Sequence, residues 1–397
     1  MRIVDPLPFE INSAVWLLLM KLGARRQLGF AMNSPAMLAN LNRLSGTRMR
    51  RVEHSDTLLS LLKRVMVVDL RDLLFSMIQR ILRMKALDRF RFQDSVLTAI
   101  DATGHLSFNQ RHCPHCLTQA QGDRTAFYHM VLEAKWVTSN GMALSLASEF
   151  IENADPQASR QDCELKAFPR LAAELKSRFP RLPIALLLDG LYLCQPVLDV
   201  CRQAGWHYII TFKEGRMPER WVEYQALRRL QSSNRRSLDL PDGVHQQLAW
   251  VNNLPVGSHR VHVLECVETR PGKEPVTFLW ATDFPLDAST VASVANDAGR
   301  LRWKIENQGF NLQHAYAWNW QAAQNFYLLL QIAQLIEQLV IHGSLLKASA
   351  GKLLPKIIGG CRKFGAYLAE SLRVWEIPLH AFDPAAPARI QIRLDTG

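Results

Sequence analysis

The run from Pro183 to Asp189 reads Pro-Ile-Ala-Leu-Leu-Leu-Asp, with no polar residue between the proline and the aspartate. A strand of this composition is buried on both faces, so its sheet must be covered on both sides. That requirement narrows the chain to an α/β architecture. The neighbouring segments agree. Ser95 to Asp101, Phe127 to Val137 and Ala143 to Phe150 are strand-like, the last two joined by the turn Ser139-Asn140-Gly141. A helix is expected around Cys163 to Phe179. Another, Gln195 to Ala204, leads into the strand Trp206 to Phe212 and the polar turn Lys213 to Arg216. The order predicts a mixed sheet with helices on its faces.

The flanks have a different character. Residues 1–92 read as helices, with a cap and early proline at Asn33-Ser34-Pro35 and another start at Ser55-Asp56-Thr57. In Asp69 to Arg89 the apolar residues Leu70, Leu73, Leu74, Met77, Ile78, Ile81 and Leu82 repeat at three and four. These first 92 residues hold sixteen Lys or Arg against seven Asp or Glu, most of the net charge of +11. Such asymmetry points to a polyanion, most simply DNA, with the exposed cluster Arg48, Arg50 and Arg51 as candidate contacts. No stretch reads as a membrane span. The apolar run Phe326 to Ile341 is broken by Gln331, Gln334, Glu337 and Gln338, and is expected to be a core helix covering the sheet. Asp5 and Glu10 precede Val15–Met20 where a signal peptide would be basic, so a cytoplasmic location is expected. Seven cysteines, two of them in a single Cys-x-x-Cys, suit a reducing compartment and a metal rather than disulfides.

Two core strands are expected to end in aspartate, Asp101 and Asp189, where α/β sheets place their chemistry. A third acid stands in the run Arg300 to Asn311. On a helix, Glu306 lies one turn beyond Arg302, beside the apolar stripe of Leu301, Ile305 and Leu312. Three carboxylates gathered within a few ångströms would repel and raise one another's pKa values. Divalent cations remove that penalty, and oxygen-only ligands suit Mg²⁺ or Mn²⁺.

The constellation resembles the DDE transposases of bacterial insertion sequences, with their RNase H-like catalytic core, in the branch that carries a β-strand insertion before the last catalytic helix. The matching pieces are Ile100-Asp101-Ala102-Thr103-Gly104, Leu188-Asp189-Gly190-Leu191-Tyr192, Ile210 to Arg216, Trp280-Ala281-Thr282-Asp283 and Arg300 to Asn311. They span well over half of the chain, and the Arg-Trp-x-Ile-Glu-Asn-x-Gly-Phe-Asn run is the most specific. The resemblance implies that Asp101, Asp189 and Glu306 bind metal and that Arg302 is the arginine of the signature Tyr-x-x-Arg-x-x-x-Glu-x-x-x-x-x-x-Lys. Gly299 replaces the tyrosine and Gln313 the lysine, residues that in the family contact DNA phosphate; His314 or Lys304 are the substitutes at hand. The implied chemistry is two-metal phosphoryl transfer, hydrolysis at an element end followed by attack of the freed 3′-OH on target DNA. The implied partner is double-stranded DNA, both transposon ends and target, bound by a homodimer.

The resemblance also sets the domain plan: a basic helical DNA-binding domain (1–92), a core in two parts (93–215 and 287–342), a mainly β insertion (216–286) and a helical C-terminal region (343–397). In the insertion, Gln246 to Val251, Arg260 to Glu268 and Val276 to Thr282 read as antiparallel strands, with turns near Asn253 and Gly272. Arg228, Arg229, Arg235 and Arg236 flank the polar loop 231–234 and are candidate phosphate contacts. Lys347, Lys352, Lys356, Arg362 and Lys363 make the C-terminal region basic. Cys113 and Cys116 give half of a tetrahedral zinc site. Pieces shared with the same branch make His129 and Cys163 the preferred completions, with His112 next, and the zinc structural. Two other readings remain open: a metal-dependent nuclease or resolvase that cuts without joining, and an inactive transposase-derived DNA-binding protein.

Overall fold

The computed structural model describes residues 7–22, 26–153, 161–310, 323–342 and 361–378. The chain divides into two compact units, Met1–Arg89 with Asn307–Gly397, and Phe90–Glu306.

The first unit is helical: α1 (Leu7–Leu19), α2 (Gln27–Met32), α3 (Pro35–Ser45), α4 (Ser55–Leu62) and α5 (Val67–Arg83), then Ala323–His342 and Cys361–Val374. Ser34 caps α3 by accepting a hydrogen bond from the Met37 N–H, and Gly46 ends it at φ 66°. At α4 the cap is His54, whose Nδ1 accepts from the Asp56 N–H. Along α5 only Leu70, Leu74, Ile78 and Ile81 are buried; Leu73 is exposed, so the core stripe is narrower than the sequence pattern. The helix Ala323–His342 was expected to cover the sheet, but it packs against α1 and α5. Its polar residues explain why. Asn325 donates to the Leu62 and Val65 carbonyls, and buried Glu337 pairs with Lys21 at 2.5 Å, so these polar groups find partners within the helical unit.

The second unit is built on one ten-stranded sheet. Its strands are β1 (Val96–Phe108), β2 (Leu117–Gln121), β3 (Arg124–Val137), β4 (Ala143–Ile151), β5 (Ile184–Leu188), β6 (His207–Thr211), β7 (Arg235–Leu240), β8 (Val244–Val256), β9 (His259–Thr269) and β10 (Val276–Thr282). The order is β2-β3-β1-β5-β6-β10-β9-β8-β7, with β4 also paired to β3. β1, β5 and β6 are parallel, while β3 runs antiparallel to both of its neighbours β1 and β4. This unit includes the helices α6 (Glu164–Arg178), α7 (Gln195–Ala204) and α8 (Pro218–Leu230). All five residues of β5 are buried, as an apolar run without alternation requires.

The insertion does not stand apart. β10 pairs with β6 at Trp280↔Thr211, so β7 to β10 extend the same sheet across the expected boundary at 216. The hairpin turn falls at Gly257, φ 58°, rather than at Asn253. Asn253, at φ 68°, instead sits in a bulge where the β8–β9 register shifts between Val251 and Leu254. Residues 343–360 and 379–397 lie outside the described residues, and with them Lys347, Lys352 and Lys356.

Inside the sheet unit a fully buried ion pair joins Lys135 and Glu133 at 3.3 Å, and Ser145 donates to the same Glu133 carboxylate at 2.8 Å. Removing one charge strands the other in a dry interior. Lys135→Met is therefore expected to lower unfolding free energy by about 3–5 kcal/mol in chemical denaturation, and adding Glu133→Gln should recover part of that loss.

Candidate active site and metal centre

Register places the two aspartates side by side. Ala99 and Leu187 are the last paired positions of the parallel strands β1 and β5. Asp101 lies two residues beyond Ala99, and Asp189 two beyond Leu187 and just past the end of β5. Asp101 is not at a strand tip, as the sequence suggested. β1 runs on to Phe108 because β3 pairs with it throughout, Asp101 lying opposite Glu133. It is β5 that stops. The Asp189 side chain accepts the Leu191 N–H at 2.6 Å and turns the chain into the tight helical turn Gly190–Tyr192. Gly190 has no room for a side chain, since a Cβ would lie 3.1 Å from the Thr211 carbonyl oxygen at the end of β6. Asp101 is thereby left on the edge of β1 that β5 vacates.

Glu306 arrives on a helical segment that is not regular. It opens as α-helix at Val291–Ser293, widens to π turns at Val294–Ala298, tightens to 3-10 at Gly299–Trp303 and widens again at Ile305–Phe310. Such departures recur at functional sites. Leu301 and Ile305 are buried, as the apolar stripe predicts. Gly299 stands against the Trp280 indole; a Cβ there would approach a ring carbon to 2.8 Å, so a tyrosine at this position has no space. Leu312, Gln313 and His314 lie outside the described residues.

Arg302 draws the acids together. Its Nη1 donates to Asp101 Oδ2 at 3.3 Å and its Nη2 to Glu306 Oε1 at 3.1 Å. The guanidinium is 9% exposed and lies over the Trp303 ring at 4.6 Å. One arginine does not neutralise the site. Burial, reinforced by Glu306 and Glu164 against the opposing pull of Arg302 and the Ala102 N–H, pushes the Asp101 carboxyl up to about 7.

Glu164 is the residue that sequence reasoning passed over. It opens α6, and its Oε2 accepts the Tyr192 hydroxyl at 3.1 Å. Burial and then the charge of Asp189 raise its carboxyl, while the Tyr192 bond and Arg216 oppose the shift. No motif spacing links position 164 to 101 or 189. The signals at hand were its place at the start of a helix and in the piece Gln161-Asp162-Cys163-Glu164, which drew attention to Cys163 instead.

A second constellation lies at the loop after β1. His112, Cys113, Cys116 and His129 bring four ligand atoms within 4.8 Å of one another and could hold a metal ion. Cys113 Sγ is 3.3 Å from Cys116 Sγ and 3.2 Å from His129 Nε2, and Cys116 Sγ is 3.6 Å from His129 Nε2. Ligands about 2.0–2.3 Å from a central ion stand about 3.3–3.8 Å apart at tetrahedral angles. Glu152 Oε1, 3.2 Å from His129 Nδ1, turns the other ring nitrogen toward the sulfurs. Burial and the neighbouring Cys116 push the Cys113 thiol up to about 11. Cys163 is not in this group. It is exposed at the cap of α6, and His112 takes the place expected for it. His112 lies four residues before Cys116, so the short loop itself supplies the ligand.

The candidate phosphate contacts divide into two kinds. Arg48, Arg50, Arg51, Arg229 and Arg235 are exposed. Arg228 is held by Glu265 at 2.5 Å, Arg236 donates to the Ala288 carbonyl, and the Lys304 Nζ donates to the Ser139 carbonyl at 3.0 Å. Among the described residues, no helix is long and apolar enough to cross a membrane.

Two outcomes are expected from these geometries. Asp101 binds its proton more tightly folded than unfolded, so its contribution to stability is full at acid pH and is lost as pH rises through about 7. Asp101→Asn should therefore raise the melting temperature of cation-free protein at pH 8 by a few degrees and change it less at pH 5. Elemental analysis of purified protein should find bound metal in wild type and Cys163→Ser but not in Cys116→Ser. No protein-family model matches the chain, and no curated protein matches it.

Proposed function

We propose that the chain is a DNA transposase of the DDE type, with an RNase H-like core that hydrolyses a phosphodiester at an element end and joins the freed strand to target DNA. The observation that carries this reading is the single guanidinium of Arg302, which binds Asp101 and Glu306 from elements some two hundred residues apart, with Asp189 just past the end of the adjoining strand. The sheet adds support: an antiparallel trio, β4-β3-β1, continued by two parallel strands, β5 and β6, with the acids where β1 and β5 part.

The donor set fits a hard divalent cation. It offers carboxylate oxygens only, and burial, the largest cause of the raised Asp101 carboxyl, is a cost that a bound cation would offset. Bound there, Mg²⁺ or Mn²⁺ would supply Lewis acidity at the scissile phosphate and favour deprotonation of the attacking oxygen. Asp101 and Asp189 would hold it from two rigid strands, and Glu306 from a third element. Arg302 would orient Asp101 and Glu306 and limit their repulsion. Because Trp280 fills the space beside Gly299, phosphate positioning would come from elsewhere, with exposed Arg229 and Arg235 as candidates. DNA would also meet Arg48, Arg50 and Arg51, and two copies would pair the ends.

The His112, Cys113, Cys116 and His129 centre suits Zn²⁺ in a structural role. Its two sulfur and two nitrogen donors leave no position for substrate. It would fasten the loop that follows β1.

The deciding experiment uses the element's own ends and the pre-cleaved form of the same ends. Wild type with Mg²⁺ should cut the first and join the second to target DNA. Asp101→Ala should do neither while keeping its affinity for the ends. Cutting without joining would reduce the reading to a nuclease, and binding without either would leave a DNA-binding protein.

A further inference from the structure

One carboxylate near the proposed cation site has no part in the three-acid reading. Glu164 stands on the first turn of α6; its charge is felt at Asp101 and at the Tyr192 hydroxyl, and the charge of Asp189 is felt at Glu164. Its placement is not left to a flexible side chain. The Tyr192 ring is fully buried, stands 5.5 Å from the Phe168 ring of α6, and directs its hydroxyl to Glu164 Oε2 at 3.1 Å. Tyr192 is also the last residue of the turn that Asp189 caps. One side chain thus ties the position of Glu164 to that of Asp189. The backbone before α6 is pinned as well. The Asp162 N–H donates to Asn153 Oδ1 at 3.1 Å, and Asn153 Nδ2 donates to the Cys116 carbonyl at 2.9 Å. A surface glutamate needs no such supports.

We propose that Glu164 is a fourth carboxylate of the site and binds the same divalent cation as Asp101 and Asp189, with Tyr192 as its positioning residue. This rests on the reading of the three acids as a cation site. A tyrosine that spends its hydroxyl on one carboxylate oxygen leaves the other oxygen to the ion, and it limits the orientations Glu164 must give up on binding. The role differs from that of Arg302, which compensates charge. Glu164 adds charge, and so strengthens binding of a dication while increasing repulsion in its absence.

The test measures Mn²⁺ binding by calorimetry, with the unfolding midpoint of every variant as a control for folding. Wild type should bind Mn²⁺ at a site that Asp101→Asn abolishes. Glu164→Gln, which keeps the shape and removes the charge, should weaken that binding about tenfold or more, and Tyr192→Phe by a few-fold. Because Tyr192 acts through Glu164, the double variant should bind no more weakly than Glu164→Gln alone. Unchanged Mn²⁺ affinity in Glu164→Gln would overturn the assignment of Glu164. Additive losses in the double variant would overturn the role of Tyr192. If wild type shows no Mn²⁺ binding sensitive to Asp101→Asn, the fault lies with the cation reading itself and not with Glu164.

Discussion

The arrangement of the sheet unit turns on one charge interaction. Arg302, almost fully buried, holds Asp101 from β1 and Glu306 from the irregular helical segment on its two terminal nitrogens. A guanidinium is suited to this because its planar fork stays charged at any accessible pH. Even so, the compensation is partial. Asp101 remains a weak acid for a carboxyl, and burial is the largest reason.

What delivers the acids to the arginine is strand register and close packing. β5 stops at Leu188 while β1 continues, so an edge of β1 opens beside Asp101. Gly190 allows the chain leaving β5 to pass against the Thr211 carbonyl, and Gly299 allows the Glu306 segment to press on Trp280. Each approach would be obstructed by a single added carbon. The departures of the Glu306 segment from regular α-helix lie on both sides of Gly299, and they still leave Arg302 and Glu306 one turn apart.

Much of this was legible before any coordinates. Asp189 follows an unbroken apolar run, and that run is a central strand because nothing polar in it requires solvent. The Arg302–Glu306 spacing is local, so any helical turn brings the two together. Other features were hidden because they depend on pairing. The extent of β1 beyond Asp101 is decided by β3, and Asn253 proved to be a bulge because β9 sets the register opposite it. Cys163 seemed the natural fourth ligand, yet α6 holds it at an exposed cap while the loop before Cys116 supplies His112. Arg228 and Arg236 look like free surface cations in the sequence, but Glu265 and the Ala288 carbonyl occupy them.

The sequence by itself determined the α/β class, the buried strands at the centre, the aspartate that follows β5 and the local Arg-Glu turn. These are consequences of composition and of contacts between residues near one another in the chain. Tertiary structure alone decided that the inserted strands continue the main sheet, that Ala323–His342 belongs with the N-terminal helices, and that Glu164 stands with the acids. Those outcomes depend on which buried polar group finds its partner far along the chain, as Glu337 does in Lys21 and Glu164 in Tyr192. No periodicity or spacing records such a choice.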